Sequence, residues 1–156
     1  VEVFSAGLSY DLLLKPPNIA SATRCVAAHP GGRFIVDHGA KPRIGDGVAF
    51  DVERSDAMAP LAALPNTWCK LSGLVTEADW HGWQEDDIAP YIARLVALFG
   101  KDRLMFGSDW PVCTLAATYG AVADLAATAL PDLNADAFYH HAARAAYALT
   151  ERQLRP

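Results

Sequence analysis

The sequence lacks paired cysteines. It has only Cys25, Cys69 and Cys113 in 156 residues, with no CxxC spacing. An odd, widely spaced set excludes a disulfide scaffold and a zinc knuckle, and it predicts reduced thiols in a cytoplasmic protein. Positive charge is also in short supply. Thirteen Lys and Arg face eighteen Asp and Glu, for a net charge of −5. That gives no footprint for nucleic acid. No apolar run reaches the length of a membrane span, and no basic segment leads into an apolar leader core. HExxH, Walker and GxGxxG motifs are missing, and so is the GxSxG elbow of serine hydrolases.

What remains is a chain that is 52% hydrophobic and 20% charged, enough to bury a real core. Four apolar runs read as strands: Leu8–Leu14, closed by Lys15-Pro16-Pro17; Phe34–Val36; Trp68–Leu71; and Leu104–Phe106. Helices are expected between and after them. One follows Asn18, and one runs from about Asp51 to Leu64. A third runs from Ile88 to Phe99, with a stripe of Ile88, Tyr91, Ile92, Leu95, Val96 and Phe99. A fourth runs from Leu115 to Leu130, and a last one is capped by Asn134 and ends near Leu149. Alternating strands and helices of these lengths predict right-handed βαβ units and a parallel sheet, hence an α/β fold.

In a parallel sheet all strand carboxyl ends lie on one face, so residues far apart in sequence share one pocket. Asp37 and His38 follow the second strand. Lys70 and Ser72 lie at the end of the third, and Asp109 follows the fourth in Phe106-Gly107-Ser108-Asp109-Trp110-Pro111. Period-two alternation groups His38 with Phe34 and Val36, and Asp109 with Met105 and Gly107. His38 and Asp109 are both expected to face the pocket. A carboxylate there serves as a base toward water, and an imidazole polarises a carbonyl or holds a metal. Lys70 is a candidate for binding substrate oxygen. The long acidic stretch Leu74–Asp87 adds Trp80 and Trp83.

In this order the segments Gly7–Leu13, Phe34–His38 with Lys41-Pro42, Cys69–Leu74 and Phe106–Val112 resemble the amidohydrolase superfamily, in the branch that contains sugar lactonases. The resemblance implies a TIM (β/α)8 barrel, of which residues 1–156 form the carboxyl-terminal half of a single domain, its last four strands and helices. It implies a hydrolase that opens a lactone ring, with Asp109 and His38 catalytic and Lys70, Ser72, Trp80 and Trp110 at the substrate. It also implies one divalent, zinc-like metal on His38 and Asp109, or none. The partner is then a small-molecule lactone. Two rival readings are a non-catalytic small α/β ligand-binding domain and an inactive truncated remnant. A half barrel is expected to leave strand edges and an apolar floor bare, which a homodimer would cover.

Overall fold

The computed structural model describes residues 2–47, 51–130, 137–150 and 153. Four strands form one parallel sheet in chain order: β1 (Tyr10–Leu12), β2 (Phe34–Val36), β3 (Thr67–Leu71) and β4 (Leu104–Phe106). Register places Leu12 beside Val36, Val36 beside Cys69, and Cys69 beside Leu104. Helices α1 (Glu2–Ser5), α2 (Ile19–Ala27), α3 (Val52–Ala62), α4 (Glu85–Phe99), α5 (Tyr119–Ala129) and α6 (Ala142–Tyr147) complete the unit. Three of the four expected strands fall within a residue of their predicted bounds. The first is shorter than Leu8–Leu14, because Lys15-Pro16-Pro17 bends into a 3-10 turn and Tyr10 and Asp11 lie at an exposed edge. The four-residue helix α1 was not expected. The cap predicted at Asn134 lies outside the described residues.

Helix α4 shows how sequence makes structure here. Gln84 and Asp87 form a reciprocal capping box, with the Gln84 backbone N–H donating to Asp87 Oδ2 at 2.8 Å. Glu85, Asp86 and Asp87 lie at the positive end of the helix dipole. Five of the six predicted stripe residues, Ile88, Tyr91, Ile92, Leu95 and Phe99, are buried. Each aliphatic member contributes about 1.5–3 kcal/mol through removal from water. Gly100, at φ +68°, ends the helix.

The sheet has two covered faces. Phe34, Val36, Cys69, Leu71 and Leu104 pack with α2, α3, α4 and α5 in the main core. Ile35 and Met105 turn the other way and meet Ala142 and Ala146 of α6. Ser9 Oγ donates to the Ala146 carbonyl at 2.5 Å, and Tyr147 donates to the Asp11 carboxylate at 3.0 Å. The apolar floor expected to be bare is therefore covered by the chain's own last described helix. At the β4 edge, Phe138 and Tyr139 stack edge-on against Phe106. The β1 edge is open: Leu8, Tyr10 and Leu13 are half or more exposed. Beside it, Phe4, Leu12, Leu14, Ala22 and Phe34 line an apolar cleft of about 480 Å³.

The three thiols have distinct environments. Cys25 is exposed on α2, while Cys69 and Cys113 are buried. Burial pushes the Cys69 thiol up to about 12, against a partly offsetting pull from the Arg54 charge. The thiolate is the reactive form. An aromatic disulfide reagent is therefore expected to label Cys25 alone in the native chain, and all three thiols after denaturation. Rapid native labelling of Cys69 would contradict this packing.

Candidate active site

The residues that matter gather where β2, β3 and β4 end. Strict alternation would send His38 after Val36 into the helix layer, on the side of the sheet opposite Met105. The backbone prevents this. β2 stops at Val36, and residues His38, Gly39, Ala40 and Lys41 all take left-handed conformations, with φ of 52°, 55°, 60° and 51°. Three of the four are not glycine, and each such residue costs about 1–2 kcal/mol. Asp109 is also left-handed, at φ 57°. These turns bring the two side chains together: His38 Nε2 lies 3.8 Å from Asp109 Oδ1, and both residues are mostly buried.

Ser72 sets the imidazole. Its Oγ is hydrogen-bonded to His38 Nδ1 at 2.9 Å, and the residue is only 4% exposed. That bond leaves Nε2 to face the carboxylate. A separation of 3.8 Å exceeds a hydrogen bond and suits a bridging atom. Two glycines make the approach possible. A Cβ on Gly73, itself at φ 62°, would lie 2.8 Å from His38 Nδ1 and 3.0 Å from Asp109 Oδ2. A Cβ on Gly107 would lie 2.9 Å from Ser72 Cβ.

The other predicted residues are placed differently. Lys70 points to the α6 side of the sheet. Its ammonium pairs with Asp37 at 2.7 Å and Asp11 at 2.9 Å, and lies 5.6 Å from the Tyr147 ring centre. Burial opposes its charge, but hydrogen bonds with Asp37, Tyr147 and Asp11 outweigh it and raise the group above the ordinary lysine range. Trp80 donates its indole N–H to the Thr76 carbonyl at 2.9 Å and is 45% exposed. Trp110 is 67% exposed and adjoins Asp109. Trp83, by contrast, is partly buried and donates to the Ala116 carbonyl at 2.9 Å. Sequence reasoning overlooked Gly73, although it stands next to Ser72 in the quoted motif. It also overlooked Asp51 and Arg54, whose only signal was an opposite charge at i,i+3.

His38 and Asp109 offer one imidazole nitrogen and one carboxylate, donors of the kind zinc takes. Among the described residues there is no group of three or more His, Cys, Asp or Glu placed to hold a metal. The pair thus fits a divalent ion in kind while supplying two ligands of the three usual at a catalytic zinc. No helix among the described residues is long and apolar enough to cross a membrane.

A parallel sheet that gathers its polar residues beyond the strands' carboxyl ends defines an α/β protein with a ligand site at that face, the arrangement of barrels and open sheets alike. Residues 3–149 match the amidohydrolase family model, and the chain belongs to that family. It is 43% identical over 124 residues to an L-fucono-1,5-lactonase of Burkholderia multivorans, covering 74% of this chain and 42% of the relative. It is 40% identical over 117 residues to an L-fucono-1,5-lactonase of Burkholderia ambifaria, covering 72% of this chain and 38% of the relative. A solved amidohydrolase from Burkholderia multivorans, with bound zinc, overlays with a TM-score of 0.88 at 36% identity, covering 96% of this chain and 55% of that one. The chain therefore spans about two fifths of the curated relatives' length. The fold class is as expected: parallel βα units matching about half of an amidohydrolase TIM barrel.

Proposed function

We propose that the protein hydrolyses the cyclic ester of a small lactone, with a sugar-derived aldonolactone as the substrate class. The observation that carries this reading is the meeting of His38, Ser72 and Asp109 around Gly73. The two lactonase relatives support it.

In this mechanism a water lies between Asp109 and His38. The Asp109 carboxylate takes a proton from the water as its oxygen attacks the lactone carbonyl carbon. His38, with Nδ1 accepting from the Ser72 hydroxyl and the proton on Nε2, donates that N–H to the carbonyl oxygen as negative charge develops there. The tetrahedral centre collapses, the ring C–O bond breaks, and the leaving oxygen takes the proton from Asp109. The product is a hydroxy acid, and Asp109 is again a carboxylate. A divalent ion held by His38 and Asp109, with ligands beyond this chain's described residues, would supply carbonyl polarisation and a more acidic water. Trp80 and Trp110 offer exposed aromatic faces to the apolar side of a sugar ring. Lys70, already engaged by two carboxylates, is assigned to tying β1, β2 and β3 together rather than to grasping substrate oxygen.

We also read the chain as the carboxyl-terminal half of one (β/α)8 domain working in the cytoplasm. The open β1 edge and the apolar cleft beside it support a missing neighbour. In the remaining barrel units or in a second copy, such a neighbour would cover the same surface.

The test uses the protein expressed from its complete reading frame. L-fucono-1,5-lactone and related aldonolactones are supplied, and acid release is followed with a pH indicator, with zinc added and after chelation. Saturable turnover above the spontaneous rate is expected on at least one of them. No rate above background on any lactone, with or without zinc, would overturn the reading.

A further inference from the structure

Arg54 is the most deeply buried charge among the described residues outside the site, at 2% exposure, and Asp51 beside it is at 5%. The two form a closed fork. Arg54 Nε donates to Asp51 Oδ1 and Nη2 donates to Oδ2, both at 2.5 Å. The third donor is directed elsewhere: Nη1 reaches the Gly39 carbonyl at 2.6 Å. Gly39 directly follows His38 and sits in the left-handed run His38–Lys41.

A buried ion pair is weak evidence of stability, because desolvation opposes what the charges gain. Its use here is geometric. The left-handed run is held partly from within and partly by its neighbours. Lys41 N donates to the His38 carbonyl at 2.8 Å, the Lys41 ammonium pairs with Glu77, and Leu95 blocks the space beside Gly39. None of these fixes the direction of the Gly39 carbonyl. Arg54 does, from a helix rather than a loop, with its own orientation locked by both oxygens of Asp51.

We propose that Asp51 and Arg54 are a positioning pair: by fastening the Gly39 carbonyl they hold the left-handed turn that turns His38 toward Ser72 and Asp109. Neither residue touches the site. The inference rests on the reading that His38 acts on substrate, but its structural half is tested without turnover.

The test is a charge-free replacement, Asp51→Leu/Arg54→Met, which removes the tie without stranding a lone buried charge. Amide hydrogen exchange at Lys41 reports the turn, through its bond to the His38 carbonyl. The expected result is a cooperative thermal transition like the parent's, with Lys41 exchange at least about tenfold faster. Lactone turnover should fall at least about tenfold while KM stays within about twofold, because misaimed groups lose rate rather than binding. Arg54→Lys keeps a cation but cannot span Asp51 and Gly39 together, so it is expected to accelerate Lys41 exchange as well. It answers the same question if the double variant lacks a folding transition. Unchanged Lys41 exchange in the folded variants would overturn the proposal. Absence of turnover in the parent protein would overturn the lactonase reading alone, and Lys41 exchange would still decide this one.

Discussion

Asp109→Asn is expected to reduce lactone turnover by about 10²–10⁴-fold, the usual loss on removing a general base. Asn is the informative replacement for a backbone reason. Asp109 sits at φ 57°, and Asn tolerates that region better than almost any residue except glycine. Ala there would add backbone strain and confuse a folding defect with a chemical one. Asn keeps the size and the conformation but cannot accept the proton. The thermal midpoint should therefore stay near the parent's while kcat falls. The measurement is steady-state hydrolysis at saturating lactone, beside a thermal melt of both proteins. Retention of more than about a tenth of the parent's kcat would assign the base to another group.

Gly73→Ala is expected to disable the site without changing any polar atom. Two penalties combine. The residue sits at φ 62°, where a Cβ costs about 1–2 kcal/mol. That Cβ would also lie 2.8 Å from His38 Nδ1 and 3.0 Å from Asp109 Oδ2, so one side chain or both must move. A displacement of about 1 Å costs roughly 10²-fold in rate. Gly100→Ala separates the two effects. Gly100, at φ 68° and ψ 174°, has nothing within 4 Å of the Cβ position, so Ala there brings backbone strain without crowding. Both variants should lose stability in a denaturant melt, and only Gly73→Ala should lose turnover. Equal kinetics in the two would show that the crowding at Gly73 has no bearing on chemistry.

The last three strands were legible because they are short apolar runs that leave little choice, whereas the exposed Tyr10-Asp11-Leu12 edge was not bounded correctly. Phe34-Ile35-Val36 is buried throughout, as such a run predicts. The helix through Ile88 and Leu95 was equally legible from its stripe. The gathering of His38, Ser72 and Asp109 at neighbouring strand ends followed from order alone. The aim of His38 did not. Alternation is a rule for extended backbone, and it lapses after Val36, with four left-handed residues beginning at His38. Nothing in Asp37-His38-Gly39-Ala40-Lys41 advertises that run beyond a single glycine. The partners of Lys70 were not legible, because Asp11 lies in β1 and Asp37 just past the end of β2. The cover over Ile35 and Met105 was invisible for the same reason: Ala142 and Ala146 lie more than a hundred residues from Ile35.

Strand order in this sheet equals chain order. On the ribosome, each new strand from β2 onward therefore emerges when the neighbour it will pair with has already been made. A growing chain can add one βα unit at a time, with each intermediate exposing a single fresh edge. The exception is α6, whose bonds from Ser9 to the Ala146 carbonyl and from Tyr147 to Asp11 span 137 and 136 positions. Of the described elements, the one that covers the face bearing Ile35 and Met105 is thus the last to be made.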